Sequence, residues 1–172
     1  MIVLAIFAAA LAATSPSPVL EASVPWWEKV TVTVDDKGKQ QSCRYESSLS
    51  VNGAEACDDE MGAGVRAERD SQAGVYSKLT FERRFSPDIG QLDAGRLQPG
   101  DQLLGRHVLF LTIGTDGSID SCHIVATSGD ILPAYDCEEA KKEQFSAQAV
   151  AQTNARQAFM TILAYGHTEQ IA

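Results

Sequence analysis

Polar and apolar residues alternate from Trp26 to Val34, with Val30, Val32 and Val34 on one side of the backbone and Thr31 and Thr33 on the other. A period of two marks a half-buried antiparallel strand. Lys37-Gly38 supplies a turn, and Lys39 to Tyr45 is the predicted return strand. The fullest succession of signals runs from Gly105 to Phe145. His107 to Gly114 is apolar at almost every position, which predicts a strand covered on both faces or nearly so. Asp116-Gly117 predicts a tight primed turn, since Gly accepts positive φ without a steric cost and Asp tolerates it. The return strand, Ser118 to Ala126, then places Cys122, Ile124 and Ala126 on one face and His123 and Val125 on the other. Asp130 is a candidate helix cap and Pro133 fits a first helical turn, so the pattern predicts a helix reaching about Phe145, with Leu132, Ala140 and Phe145 inward. Tyr76 to Arg84 and Gln157 to Tyr165 complete the pattern as closing strands. Ser47 to Gly64 carries only a weak helix signal, interrupted by Gly53, Gly62 and Gly64.

These elements repeat. Val32-Thr33-Val34, Gly38, Ser42 and Cys43 match Leu111-Thr112-Ile113, Gly117, Ser121 and Cys122 at a constant offset of 79 residues, and Cys57 matches Cys137 with one residue inserted. A tandem duplication accounts for this better than convergent hairpins, because cysteine is rare and two pairs fall in one register. The expected fold is therefore α+β: two small β-β-α-β units, each an antiparallel sheet with one helix packed on a face. The units are residues 26–85, a degenerate first copy, and 105–172, separated by a Gly- and Pro-containing linker at 86–104.

In the second unit the order Gly105-Arg106-His107-Val108, apolar strand, Asp116-Gly117 turn, Ser121-Cys122, Thr127-Ser128-Gly129, a helix bearing Cys137 and a terminal Phe145 resembles the C-terminal domain of TonB-like energy transducers, in its paired-cysteine variant. The resemblance covers roughly Leu104 to Tyr165. Leu97-Gln98-Pro99 stands where that family has Tyr-Pro, and Ser146-Ala147 stands where a Pro follows the helix. The resemblance implies a periplasmic binding domain that takes an extended segment of an outer-membrane receptor by strand addition. The closing strand would be the receiving edge, through Gln157, Phe159, Met160, Thr161, Leu163 and Tyr165.

The N-terminus fits export. Ile2 to Ala13 is an uncharged apolar run, shorter than the ~20 residues a membrane span needs, and Ala10-Leu11-Ala12 offers a cleavage site, so residues 1–13 are expected to be a signal peptide. Residues 14–25, with Pro16, Pro18 and Pro25, read as an extended leader. This is neither the membrane helix nor the long Pro-rich spacer of a standard transducer. Four cysteines in an exported chain suit disulfides, and units this small need staples. Three connectivities are possible. The repeat selects Cys43 with Cys57 and Cys122 with Cys137, one pair in each copy.

Composition narrows the partners. With 14 Lys and Arg against 23 Asp and Glu, the net charge of −9 disfavours nucleic acid and anionic lipid surfaces, which are held by cations. His107, His123 and His167 lack a metal-ligand spacing and read as strand or surface residues. Asp116 and Asp120 lack the ligand set of a calcium loop, and the cysteines lack a Cys-x-x-Cys knuckle. Trp26-Trp27 fits the end of a core better than a binding platform. No nucleophile elbow, triad or phosphate loop is present. The sequence thus points away from an enzyme and toward a protein without cofactor or metal. Its expected partner is a protein or peptide. The alternative is an exported structural protein whose two copies pack against each other or dimerise and use up the sheet edges.

Overall fold

The computed structural model describes residues 19–37, 39–49, 57, 76–87, 97–131, 133–146 and 154–168. Of these, 62% are strand and 4% are helical, which overturns the α+β expectation. The strands are β1 (Val19–Leu20), β2 (Trp26–Val34), β3 (Gln40–Ser47), β4 (Lys78–Ser86), β5 (Asp101–Ile113), β6 (Ile119–Gly129), β7 (Gln144–Phe145) and β8 (Arg156–His167). Among the described residues one short helix, α1, spans Cys137–Ala140. The six long strands form a single antiparallel sheet in the order β3-β2-β4-β8-β5-β6, and β1 pairs with β7 in parallel beside it.

This order arises because the two hairpin-plus-strand units join through their closing strands. In the first unit Val32 faces Cys43 and Leu79; in the second Leu111 faces Cys122 and Ala158. Val30 likewise faces Tyr45 and Phe81, while Leu109 faces Ile124 and Met160. Every one of these positions is related to its counterpart by the same offset of 79 residues. Between the units, Arg83 faces Ile162, and these two are themselves counterparts. Glu82 with Leu163 and Arg84 with Thr161 are images of one another about that pair. The sheet therefore has a local pseudo-twofold axis at Arg83 and Ile162.

Alternation decides which face is covered. Trp26, Glu28, Val30, Val32 and Val34 are buried while the intervening residues of β2 are half-exposed. On the same face lie Leu79, Phe81, Phe85, Leu109, Leu111, Ile113, Ala158, Met160, Ile162 and Ala164, all in one continuous core. Both units contribute to that core, so neither carries a separate one. Leu20 and Ala22, from the predicted leader, are buried in it, and Arg156 donates to the Ala22 carbonyl at 2.8 Å. Phe145 completes the cover, 5.2 Å from the Phe85 ring, which in turn stacks on Trp26 at 5.4 Å. Trp26 thus closes the core.

The predicted long helix is reduced to α1. Asp136, not Asp130, caps it, with Oδ1 accepting from the Glu138 and Glu139 N–H groups. The segment approaching α1 instead lies over the sheet, burying Pro133 and Tyr135. Of the weak helix signal from Ser47 to Gly64, Ser47 ends β3 and Ser48, Leu49 and Cys57 are not helical, while 50–56 and 58–64 lie outside the described residues, as does the predicted signal peptide of residues 1–13. β5 begins at Asp101, inside the predicted linker. Two bulges also shift expectations in β6: Val108 pairs with Ala126 but Leu109 with Ile124, so Ala126 leaves the face of Ile124. At the turn Gly117 has φ of +85°, yet Asp116 does not take positive φ. Its Oδ1 instead accepts from the Ser118 N–H at 3.0 Å and hydroxyl at 2.7 Å, giving a longer connection than a two-residue primed turn.

Candidate binding edges and a buried ion cluster

The four cysteines pair as the repeat predicts. Cys43 bonds Cys57 with Cα atoms 6.0 Å apart, Cys122 bonds Cys137 with Cα atoms 5.5 Å apart, and no cysteine is free. Cys43 lies on β3 and Cys122 on β6, the two outermost strands. Each disulfide therefore staples an outer strand to chain that follows it, and both suit an oxidising compartment outside the reducing cytosol.

The predicted receiving edge is not an edge. β8 lies between β4 and β5. Phe159 pairs with Ser86 and Phe110, Met160 with Phe85 and Leu109, Thr161 with Arg84 and Val108, Leu163 with Glu82 and Arg106, and Tyr165 with Thr80 and Leu103. Gln157, beyond the end of β4, pairs with Thr112 alone. From Phe159 to Tyr165 both sides of the backbone are occupied, so a peptide could join β8 only by displacing a strand. The reason is the first copy: β4 fills the side that a solitary second copy would leave open.

A buried ion cluster escaped the sequence reading. Arg83 Nε donates to Glu28 Oε1 at 2.6 Å, and its Nη1 donates to the Tyr135 hydroxyl at 3.0 Å and contacts Glu143. The Tyr45 hydroxyl donates to Glu28 Oε2 at 2.8 Å, and the Tyr135 hydroxyl to Glu143 Oε1 at 3.1 Å. The guanidinium also lies 5.3 Å from the Trp26 ring and 5.1 Å from the Tyr135 ring. Burial opposes the charge on Arg83, but the Tyr135 oxygen and the carboxylates of Glu28 and Glu143 outweigh it and hold its pKa above the usual range. Burial, aided by the neighbouring Glu28, pushes Tyr45 up to about 12, and burial raises Tyr135 further. The cluster joins β2, β3 and β4 of the first unit to Tyr135 and Glu143 of the second. Its signal was present: Glu28 interrupts an inward-facing apolar series, and a buried carboxylate requires a partner.

Among the described residues the second unit has no such cluster. His107 takes the position of Glu28, facing Ile162 instead of Arg83, and is buried rather than at the surface. Among the described residues neither ring nitrogen has a hydrogen-bond partner. His167 accompanies Asp101 at 2.9 Å, and His123 is exposed on β6. Among the described residues no three His, Cys, Asp or Glu side chains are gathered as metal ligands.

The true outer strands differ in chemistry. β3 presents Gln40, Gln41, Arg44 and Glu46, and Glu46 pairs with Lys29 at 3.1 Å and Arg44 at 3.0 Å. Charge of this kind blunts an edge against further pairing. β6 instead exposes Ile124 (45%) and Val125 (54%), and from Ser121 to Gly129 it carries no Asp, Glu, Lys or Arg. Among the described residues no helix is long and apolar enough to cross a membrane. No known protein family, curated protein or solved structure matches the chain.

Proposed function

We propose that this chain is an exported, periplasmic protein-binding module, built from two TonB-like units, that captures an extended segment by strand addition at β6. It acts without catalysis, and residues 1–13 direct its export and are removed. The observation that carries the reading is the contrast between two strands of the second unit: β8 is enclosed by β4 and β5, whereas β6 is outermost and presents Ile124 and Val125. Strand addition draws affinity from backbone hydrogen bonds and specificity from alternate side chains, so an uncharged, apolar edge is its natural receiver. The TonB-like resemblance of the second unit supports the mode of binding and its compartment, with the receiving strand moved from β8 to β6.

A second reading, an exported structural protein with no part in energy transduction, is favoured by the internal closure of β8. Site-specific photo-cross-linking in an exporting bacterial host separates the two. A photoreactive residue at Val125 is expected to give discrete adducts, while one at Arg44 on β3 or Thr161 on β8 gives none. Adducts at Arg44 without adducts at Val125 would reject β6. Exported, folded protein without adducts at any of the three would favour the structural reading.

A further inference from the structure

We infer that the occupant of β6 is an extended segment with a β-branched apolar centre and cationic residues at both ends; this rests on the reading of β6 as the receiving edge. The strand is apolar and uncharged in its middle, but both ends are anionic. At the hairpin end the carboxylates of Asp116 and Asp120 converge on Gly114. Their Oδ1 atoms lie 3.0 Å and 2.7 Å from the place a side chain on that glycine would begin. Asp130 follows directly after Gly129 at the other end. All three aspartates are exposed, and among the described residues none pairs with Lys or Arg. Hydrogen bonds from the Ser118 hydroxyl and N–H further lower the pKa of Asp116, so it stays ionised.

Lys141 pairs with Glu138 at 3.2 Å and Lys142 with Glu139 at 2.7 Å, and among the described residues Arg106, on β5 opposite Ser128, makes no ion pair with Asp130. At β3, by contrast, Glu46 is paired by Arg44 on the same strand and by Lys29 on β2. A segment paired along β6 therefore meets unpaired carboxylates at its two ends and none in its middle. Asp120 and Asp130 are separated by roughly 33 Å of extended chain at about 3.3 Å per residue, which sets the spacing of the two cationic ends at about ten residues. A strongly acidic segment would be repelled at both ends, and an uncharged one would gain only the ladder.

The test uses three synthetic peptides with one core of four Thr-Val repeats, flanked at both ends by two Lys, two Gln or two Glu. Binding to the whole disulfide-bonded protein is measured by fluorescence anisotropy, and the site by amide exchange. The Lys-flanked peptide is expected to bind at least tenfold more tightly than the Glu-flanked one. It should protect 119–129 and not 40–47. The Gln-flanked peptide should fall between. That preference should collapse at about 0.5 M salt, where screening acts within roughly 4 Å, and in the D120N/D130N double variant. Equal affinities with protection of 119–129 would overturn the charge inference and leave the edge reading standing. Absence of protection at 119–129 with every peptide would overturn both. Protection of 119–129 that grows with protein concentration in the absence of peptide, with dimers in sedimentation, would assign the edge to a second copy and overturn the inference.

Discussion

Glu28 and Arg83 face each other in the first copy where His107 and Ile162 face each other in the second, at the same ladder positions and on the same covered face. Two such different pairs occupy one backbone frame. Register must therefore be held by what the copies share, namely Val30 and Leu109, Val32 and Leu111, Cys43 and Cys122, and not by the central pair. A one-residue slip would turn each of these series to the uncovered face. What differs is how each copy finishes its core. The first uses a buried ion cluster with Trp26 over it, while the second has Gly105 at the Trp26 position and a buried His107 whose ring nitrogens find no partner among the described residues. The outer strands follow the same division, β3 charged and β6 apolar.

The largest expected effect comes from breaking the central pair asymmetrically. Arg83→Ala leaves the buried Glu28 and the half-buried Glu143 without their cation and is expected to cost about 3–5 kcal/mol in urea unfolding. Ile162→Ala, at the symmetric position, removes only packing and is expected to cost about 2–4 kcal/mol. A loss below about 1 kcal/mol for Arg83→Ala would show that the cluster is not closed in solution. Next come the staples. Removing either disulfide by paired Cys→Ala substitution is expected to cost about 3 kcal/mol, alike in the two copies because the loops are nearly equal. A large inequality would place native contacts rather than loop entropy in control.

Gly117→Ala tests the second hairpin. The position has φ of +85°, and an added Cβ would meet the Phe145 carbonyl oxygen at 2.0 Å, where the Phe145 N–H also bonds the Gly117 carbonyl at 2.8 Å. Strain of about 1–3 kcal/mol is expected, with β7 loosened, as read by amide exchange at Phe145.

The smallest effects concern Tyr45, whose counterpart is Ile124. Tyr45→Phe removes the hydroxyl donated to Glu28 and is expected to cost about 1 kcal/mol near neutral pH. The same phenol contributes to alkaline unfolding. Its folded pKa is raised from 10.0 to about 12, so the folded state keeps a proton that the unfolded state loses. That contribution is complete below pH 10 and is lost as pH rises through about 12, in the same direction as for Tyr135 and Tyr165. Spectroscopic titration of Tyr45 against Tyr45→Phe measures it; a midpoint at 10 would contradict the half-buried placement beside Glu28.

Much of the architecture could be read locally. The alternation in β2 located its covered face, Asp116-Gly117 located a reversal, and the cysteine register located both disulfides. The helix was misread because Asp130, Pro133, Leu132 and Phe145 carry helix-like spacing, while tertiary contacts with Pro133, Tyr135 and Phe145 lay the chain over the sheet and leave α1 a single turn. The place of β8 was misread because pairing between copies has no short-range signature. One clue did exist. From Ala158 to Ala164 the strand is buried at almost every position, as a central strand must be, and its run Phe159-Met160-Thr161-Ile162-Leu163-Ala164 is apolar on both faces apart from Thr161. An edge strand open to solvent would show alternation.

The enclosure of β8 by the first copy is the claim on which the binding reading depends, and native-state amide exchange resolved by residue tests it most directly. Amides from Phe159 to Tyr165 are expected to be among the slowest in the chain, matched by Leu79 to Phe85 across the ladder, while those of β6 that face away from β5 exchange fast. Exchange in Phe159 to Tyr165 as rapid and alternating as that of an outer strand would contradict the account and return β8 to the edge.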